Sequence, residues 1–246
     1  MSDRILIQDG DNRRVITINR PEKRNAIDVE TAADLAAAVR GAGEARAVIV
    51  TGTPPAFCSG GDLPALAAIA ESSPLAVTDV VYRYFHGMVR AIRDCPAPVI
   101  AAVNGAGLDL ALCCDLRIAE ESAVFQSTWV RAGLVPGMGG AHHLPHVVGS
   151  ARAAAMLLLG RSVSAADALR DGLVNEVVAD GEALPAALKL ADEVAALPAI
   201  GVARTKAALR RAIDGTLEPE LATLGAQQGQ LVLGDDFQRL VRRFGK

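Results

Sequence analysis

The chain has 246 residues, half of them hydrophobic and few aromatic, and its formal net charge is −3. A chain of this length buries a large core. The sequence has no basic stripe with interleaved aromatic residues, so we do not expect a nucleic-acid partner. No apolar run is long enough to cross a bilayer, the N-terminus has no signal-peptide pattern, and the four cysteines show no disulfide or CxxC spacing. We therefore expect a cytoplasmic protein without a membrane partner.

The first hundred residues alternate strand and helix patterns. Residues 4–8 and 14–19 alternate apolar and polar side chains around a polar turn, which predicts a hairpin. Asp28 stands where an N-cap is expected, before a helix that runs to about Arg40. An amphipathic pattern over residues 75–94 predicts a long helix that ends before a proline-rich break.

The strand patterns that follow favour a parallel sheet. Residues 47–51 and 98–104 are unbroken apolar runs, which are typical of strands buried on both faces. A helix over 107–114 and strands at 116–119 and 124–126 continue the alternation, which is typical of an α/β fold.

The last third of the chain is predicted to be mainly helical. Glycines are frequent from Gly133, the last strand pattern covers residues 174–178, and the sequence beyond Glu182 reads as helices. These patterns divide the chain into a sheet-based core, residues 1–180, and a C-terminal helical region, residues 181–246.

Two strand-to-helix junctions carry glycines and are the strongest candidates for a functional site. The first is FCSGGDL at residues 57–63, and the second runs from Pro98 to Gly107. Adjacent glycines let a backbone approach a ligand closely, and two such junctions could direct two N–H donors at one carbonyl oxygen. The first junction taken alone is more typical of an ordinary strand-to-helix turn, and it is the second junction that favours a site.

Other chemistries fit the sequence poorly. Leu110 stands where a dinucleotide fingerprint needs its third glycine, and neither a phosphate-binding loop nor a GxSxG nucleophile motif is present. His142 and His146 are four residues apart, but Pro145 lies between them and no acidic residue accompanies them. We therefore expect no metal site.

Five motifs in order resemble the crotonase, or enoyl-CoA hydratase/isomerase, superfamily. They are NRPEKRNA (19–26), AFCSGGDL (56–63), PVIAAVNG (98–105), LALCCDLRIA (110–119) and GLVPGMGG (133–140). The resemblance implies a crotonase-like spiral of ββα units with a C-terminal helical region that assembles homotrimers or homohexamers. It also implies an acyl-CoA thioester as the ligand, so that coenzyme A belongs to the substrate and no separate cofactor is expected.

The resemblance implies roles for particular residues. The thioester oxygen would lie between the Gly61 and Ala106 N–H groups, and Asp109 would stand at the first of the family's two catalytic glutamates. Substrate contacts are expected at further positions of the motifs, in the helix before the second junction and at the position of the family's second glutamate. These are Arg24, Ala26, Gly60, Asp62, Leu63, His86 and Trp129.

The chain departs from the family pattern in ways that bear on the reaction. Trp129 occupies the position of the second glutamate, and an indole cannot activate water. Asp109 alone could still shuttle a proton between two carbons, as double-bond isomerisation requires. The dehalogenase branch of the family also has a tryptophan here, but its nucleophilic aspartate falls at Gly137, which excludes that reaction. His86 is a secondary acid/base candidate.

The segment before Asp109 is also shorter than the family's, by roughly four residues or one helical turn, which bears on the Ala106 N–H. The sequence thus predicts an enzyme of enoyl-CoA chemistry in fatty acid metabolism, an isomerase or a hydratase (a lyase). A homologue that binds acyl-CoA with little or no turnover is the alternative.

Overall fold

The computed structural model describes residues 3–71 and 74–215. The strands are β1 (Ile5–Gly10), β2 (Arg13–Ile18), β3 (Ala47–Gly52), β4 (Val99–Val103), β5 (Leu116–Glu120), β6 (Val124–Phe125), β7 (Val163–Ser164) and β8 (Glu176–Val178). The α-helices are α1 (Val29–Arg40), α2 (Leu63–Ala70), α3 (Pro74–Val80), α4 (His86–Asp94), α5 (Asp109–Cys113), α6 (Gly140–Val148), α7 (Ser150–Leu159), α8 (Ala165–Arg170), α9 (Ala183–Ala195) and α10 (Ala199–Asp214).

One six-stranded sheet forms the centre of the molecule, in the order β1-β2-β3-β4-β5-β8. Strands β1 and β2 are the predicted antiparallel hairpin, and every later pair in this sheet is parallel. Every residue of β3 and β4 is buried, because helices cover both faces of the sheet. The predicted α/β class with a parallel sheet is therefore confirmed.

The two faces of the sheet pack against different helices. Helices α1 and α4 cover the face that carries Val48, Val50 and Val103, and this side forms the larger apolar core. Helix α9 covers the opposite face with a row of small residues, which allows it to approach the strands closely. Its buried residues are Ala183, Ala187, Ala191 and Val194.

Short backbone bridges beside the main sheet hold the two glycine junctions. Ile27 pairs with Gly61, and Ala106 pairs with Val124, each as an isolated parallel bridge. The junctions also bond to each other, since the Cys58 N–H donates to the Ala106 carbonyl at 2.9 Å. The two stretches singled out in the sequence are therefore neighbours in space.

Two helices differ in detail from their predicted form. The helix predicted over 75–94 is interrupted by a π-helical turn, Val81–Phe85, between α3 and α4. The helix predicted from residue 107 begins instead at Asp109, because the Gly107 N–H is used in the bridge to the Val124 carbonyl. Leu108, with φ of −145°, makes the turn into the helix.

The C-terminal region begins with α9 and α10. A buried lysine on α10, Lys206, donates to the Ile92 and Ala97 carbonyls and pairs with Asp115, which fastens α10 to the end of α4. The predicted helices beyond residue 215 lie outside the described residues, and the boundary at residue 180 stays a prediction. Among the described helices, none has both the length and the apolar character needed to span a membrane.

Candidate active site

A small cavity of about 70 Å³ opens between the first glycine junction, the start of α5 and the segment around Trp129. Its lining includes five of the residues predicted to contact substrate or to take part in catalysis. These five are Gly60, Gly61, Leu63, Asp109 and Trp129. The first junction and the start of α5 are thus brought to one place.

Gly61 presents its backbone to this cavity because of its bridge to Ile27. The Ile27 N–H bonds to the Gly60 carbonyl and the Asp62 N–H bonds to the Ile27 carbonyl, both at 2.8 Å. In a strand, the N–H groups of successive residues point in opposite directions. The Gly61 N–H therefore points away from Ile27, as an oxyanion donor requires.

The second predicted donor, Ala106, has a similar backbone arrangement but a different position. Its neighbours Gly105 and Gly107 bond to Val124, so the Ala106 N–H and carbonyl face the first junction. Leu108 lines the small cavity, whereas Ala106 does not. The structure therefore brings Gly61 and Asp109 together at the cavity, with Ala106 beside it.

Asp109, the first residue of α5, is 6% exposed. Burial raises the pKa of its carboxyl above the ordinary aspartate value, and a hydrogen bond from Trp129 opposes this shift. Trp129 Nε1 donates to Oδ2 at 2.5 Å, whereas Oδ1 is buried without a partner in the described part of the chain. A buried carboxyl with a raised pKa suits a group that exchanges protons near neutral pH.

The absence of side chains at two glycines makes room for this arrangement. A Cβ on Gly61 would lie 2.7 Å from Cη2 of Trp129, so the indole covers that glycine. A Cβ on Gly140, at the start of α6, would lie 2.8 Å from Oδ1 of Asp109. The glycines of the second and last motifs thus allow Trp129 and Asp109 to lie against the backbone.

A second, apolar cavity of about 190 Å³ adjoins the first across Trp129. Both cavities share Gly61 and Trp129. Helices α2 and α3, the π turn and the segment before α6 supply its apolar walls. The lining side chains include Leu66, Val77, Val81, Phe85, Leu134, Val135 and Met138. The π turn therefore contributes to the wall of a candidate ligand pocket, a frequent location for such turns.

An ion cluster fixes the N-terminus of α2 next to Gly61. Asp62 caps α2 by accepting the Ala65 N–H, and its Oδ2 lies 3.1 Å from Nη2 of Arg20. The same guanidinium lies 3.0 Å from Asp28, the cap of α1. Arg20 thus ties together the starts of α1 and α2, which follow the two bridged residues Ile27 and Gly61.

Comparison with known proteins identifies the family. The model of the enoyl-CoA hydratase/isomerase family matches residues 11–244. The chain belongs to this family. It is 39% identical to a Rhodobacter capsulatus protein named "Probable enoyl-CoA hydratase", over 94% of this chain and 90% of the relative. It is 35% identical to 1,2-epoxyphenylacetyl-CoA isomerase of Escherichia coli, over 93% of this chain and 86% of the relative.

Solved structures agree with this family assignment. An enoyl-CoA hydratase from Polaromonas superposes with a TM-score of 0.90 and 30% identity, over 98% of this chain and 96% of the other. The enoyl-CoA hydratase from Bacillus anthracis gives a TM-score of 0.89 and 28% identity, over 99% and 96%. The crotonase fold implied by the motifs is confirmed.

The loop of the family's first motif lies beside the glycine turn rather than in the cavity. Arg24 is exposed, with φ of 51°, and its carbonyl accepts the Ser59 N–H at 3.1 Å. Asn25 is buried and donates to the Thr53 and Ala56 carbonyls, which holds the loop in place. Ala26 is 8% exposed. Arg24 and Ala26 thus lie beside the first junction, and neither lines the small cavity.

His86 and Asp62 do not line the small cavity. The His86 ring nitrogen Nε2 lies 2.9 Å from the Gly137 carbonyl, a contact that ties α4 to the segment before α6. Asp62 lines the apolar cavity while it caps α2. The structure gives both side chains a structural contact, and their role towards substrate stays a prediction.

Sequence reasoning missed several residues of the site. Leu108, Gln126 and Thr128 line the small cavity. Arg20 pairs with Asp62, the residue that follows Gly61. Arg20 stood inside the first motif and could have been recognised as a partner for the two caps. The described residues hold no group of three His, Cys, Asp or Glu side chains arranged for a metal ion.

Proposed function

We propose that the protein isomerises the double bond of an enoyl-CoA through a thioester enolate, with Asp109 as the acid/base group. The observation that carries this proposal is the pairing of a buried carboxyl with an outward-facing Gly61 N–H at one cavity. Family membership supports an acyl-CoA substrate, and one relative bears the name of an acyl-CoA isomerase.

The proposed reaction moves one proton. Asp109 takes a proton from the carbon that loses it, and the electrons of that C–H bond shift the double bond and place negative charge on the thioester oxygen. The Gly61 and Ala106 N–H groups stabilise this oxyanion, each by about 3–4 kcal/mol. Asp109 then returns the proton to a different carbon, so substrate and product have the same atoms.

Isomerisation fits this site better than hydration. Hydration needs both water activation and proton delivery, and the second acid/base position is Trp129. Its indole N–H is donated to Asp109 rather than to a water. Removing one positioned acid/base group lowers a rate by about 10²–10⁴, so we expect hydration to be slow relative to isomerisation.

The apolar cavity is the proposed site for the end of the acyl group. Apart from Asp62, its lining side chains are apolar, which favours apolar acyl chains over polar ones. The exposed Arg24, on the loop beside the first junction, is proposed to meet the phosphates of coenzyme A. The other proposed contacts are backbone and apolar contacts at Ala26, Gly60 and Leu63.

The test of the proposal is the variant Asp109→Asn, with Asp11→Asn as control. Asp11 is an exposed aspartate in the β1–β2 turn. We expect Asp109→Asn to lower the isomerisation rate of short and medium enoyl-CoA substrates by about 10²–10⁴. Binding of a saturated acyl-CoA, measured by calorimetry, should change little. Unchanged turnover in Asp109→Asn would show that another group transfers the proton.

A binder with little turnover is the second candidate, and one observation favours it. The cavity beside Asp109 holds only about 70 Å³, and the Trp129 ring lies over Gly61. Calorimetry and turnover assays on the unmodified protein distinguish the two candidates. Acyl-CoA binding without isomerisation or hydration of any enoyl-CoA would establish the binder.

We also propose that the chain assembles as a homotrimer or as a pair of trimers. The support is family membership and the helical C-terminal region. Light scattering should then give three or six times the chain mass of 25.5 kDa. A mass equal to that of one chain would contradict this assembly.

A further inference from the structure

Trp129 occupies the space between the proposed oxyanion donor and the proposed acid/base group. Its Nε1 donates to Oδ2 of Asp109, and at the other end of the ring Cη2 lies over Gly61. The ring also separates the small cavity from the apolar cavity. Trp129 therefore contacts both groups on which the proposed enolate chemistry depends.

Among the described residues, none places a charged group beside the Asp109 carboxyl. Gly140 of α6 lies next to Oδ1 of Asp109 and has no side chain. Cys113 of α5 donates its thiol to the Asp109 backbone carbonyl, and Cys58 approaches from the first junction. Burial raises the pKa of Cys58 to about 12 and that of Cys113 well above the ordinary value, so both thiols are neutral at physiological pH. Among the described residues, Trp129 supplies the one hydrogen bond shown to this carboxyl.

We propose that Trp129 is a positioning residue that holds the buried Asp109 side chain as an oriented carboxylate, ready to remove a proton from the acyl group. The inference rests on the acid/base role proposed for Asp109. The indole nitrogen is a donor only, so it bonds a carboxylate oxygen more strongly than an oxygen of the neutral acid. With Oδ2 held in this way, Oδ1 has no hydrogen-bond partner among the described residues. It is therefore the oxygen proposed to accept the substrate proton.

The proposed effect is a balance between two opposing influences. Burial raises the pKa of Asp109, which favours the neutral acid, and the Trp129 hydrogen bond lowers that pKa, which favours the anion. An acid/base group is most effective when its pKa lies near the working pH. Trp129 would therefore keep Asp109 in the form that starts the reaction.

The first test needs no turnover, because Trp129 is the single tryptophan of the chain. Its emission, excited selectively over the two tyrosines, should change with pH as Asp109 gains or loses its proton. The full-length protein is compared with Asp109→Asn, and circular dichroism verifies folding at each pH. A transition that disappears in Asp109→Asn supports the inference. Emission without such an Asp109-dependent transition would overturn it, whether or not the protein turns over a substrate.

The second test separates the donor from the ring. Trp129→Phe keeps an apolar ring without the N–H, and Trp129→Gln keeps an N–H donor without the ring. Losing a hydrogen bond to the anion should move the acid limb of the kcat profile to higher pH by about one to two units. We expect this shift in Trp129→Phe, with a roughly tenfold or larger loss of kcat at neutral pH and a smaller change in KM. Trp129→Gln should lie closer to the unmodified protein.

The pH profile distinguishes a positioning role from a role in packing alone. A packing role predicts that Trp129→Phe, which fills most of the same space, keeps the acid limb where it was. An unmoved limb in Trp129→Phe would therefore overturn the inference. If the protein turned over no enoyl-CoA substrate, the proposed function would be contradicted instead. The fluorescence titration would still decide whether Trp129 bonds to the Asp109 carboxylate.

Discussion

Asp109 combines a proposed catalytic charge with a position that disfavours charge. Since burial raises its folded-state pKa above the unfolded value of 3.8, the protonated form is the one that stabilises the fold. That stabilisation is fully present below about pH 3.8 and is lost as the pH rises through the folded pKa. The residue is thus expected to trade stability for reactivity at neutral pH.

We therefore expect Asp109→Asn to be more stable than the unmodified protein at neutral pH. The difference should shrink as the pH falls and vanish below about pH 4, because the native carboxyl is then neutral too. Urea denaturation at a series of pH values measures it, and the exposed control Asp11→Asn should show no such trend. A variant less stable than the native chain at neutral pH would contradict the account.

Gly140 provides a test of the space around Oδ1 of Asp109. In Gly140→Ala the new methyl group would lie 2.8 Å from Oδ1, so the carboxyl has to move. Misplacement of a reacting group by about 1 Å costs roughly 10² in rate, and we expect a loss of that order in kcat. The control is Gly87→Ala in α4, where a Cβ meets nothing within 4 Å. Equal activity in the two variants would show that Oδ1 needs no free space.

The sequence could identify some of these residues but not their contacts. Gly61 and Asp109 are found from motif order, because the backbone turn and the carboxylate stand at fixed places in the family's motifs. The bond from Trp129 to Asp109 depends on side-chain orientation between segments twenty residues apart. Leu108 was missed because its place in the lining depends on where α5 begins.

At the scale of elements, Arg20 links the starts of α1 and α2. Its guanidinium lies within 3.1 Å of Asp28 and Asp62, and all three side chains are largely buried. Breaking a buried ion pair costs about 3–5 kcal/mol, because an uncompensated charge remains. Here Asp28 and Asp62 would lose the same partner next to the backbone of Gly61, and Asp28 would keep its ion pair with Arg4 at 3.1 Å.

We expect Arg20→Gln to lower the free energy of unfolding by about 3 kcal/mol and to weaken acyl-CoA binding. The matched control is Arg13→Gln, whose partner Asp192 is 63% exposed, so its loss should cost about 1 kcal/mol or less. Urea denaturation and calorimetry measure the two effects. Similar stability losses in the two variants would contradict the importance of the buried cluster.

Element boundaries were predictable where local signals dominate. Asp28 caps α1 and the helix ends at Arg40, as its side-chain pattern indicates. The π turn within residues 74–94 was not predictable, since an amphipathic pattern does not distinguish one extra residue per turn. The late start of α5 was missed because the Gly107 N–H donates to the Val124 carbonyl, a partner distant in sequence.

For the whole molecule, apolar runs were enough to predict a parallel sheet covered on both faces. They did not show that α9 closes one of those faces, because its small buried residues form a row only in the helix. The order of the five motifs identified the spiral fold, which periodicity alone does not. Assembly and acyl specificity depend on surfaces and cavities that no local pattern encodes.

His143 makes the stability of the whole fold depend on pH. It lies on α6 and is 8% exposed. Burial, with Arg93 and His142 nearby, lowers its pKa from 6.5 to about 4. Above about pH 6.5 the ring is neutral in both the folded and the unfolded chain. As the pH falls towards 4, the unfolded chain takes up a proton that the folded chain excludes, so stability is lost over this window and the loss levels off below it.

We expect this effect to amount to about 2 kcal/mol, less than the full shift implies because solvent reaches part of the site. His143→Gln should remove it, so that the difference in unfolding free energy between variant and native chain changes from pH 7 to pH 4. The matched control is His146→Gln, at an exposed position on the same helix. Parallel pH curves for the native chain and His143→Gln would show that His143 is protonated equally in both states.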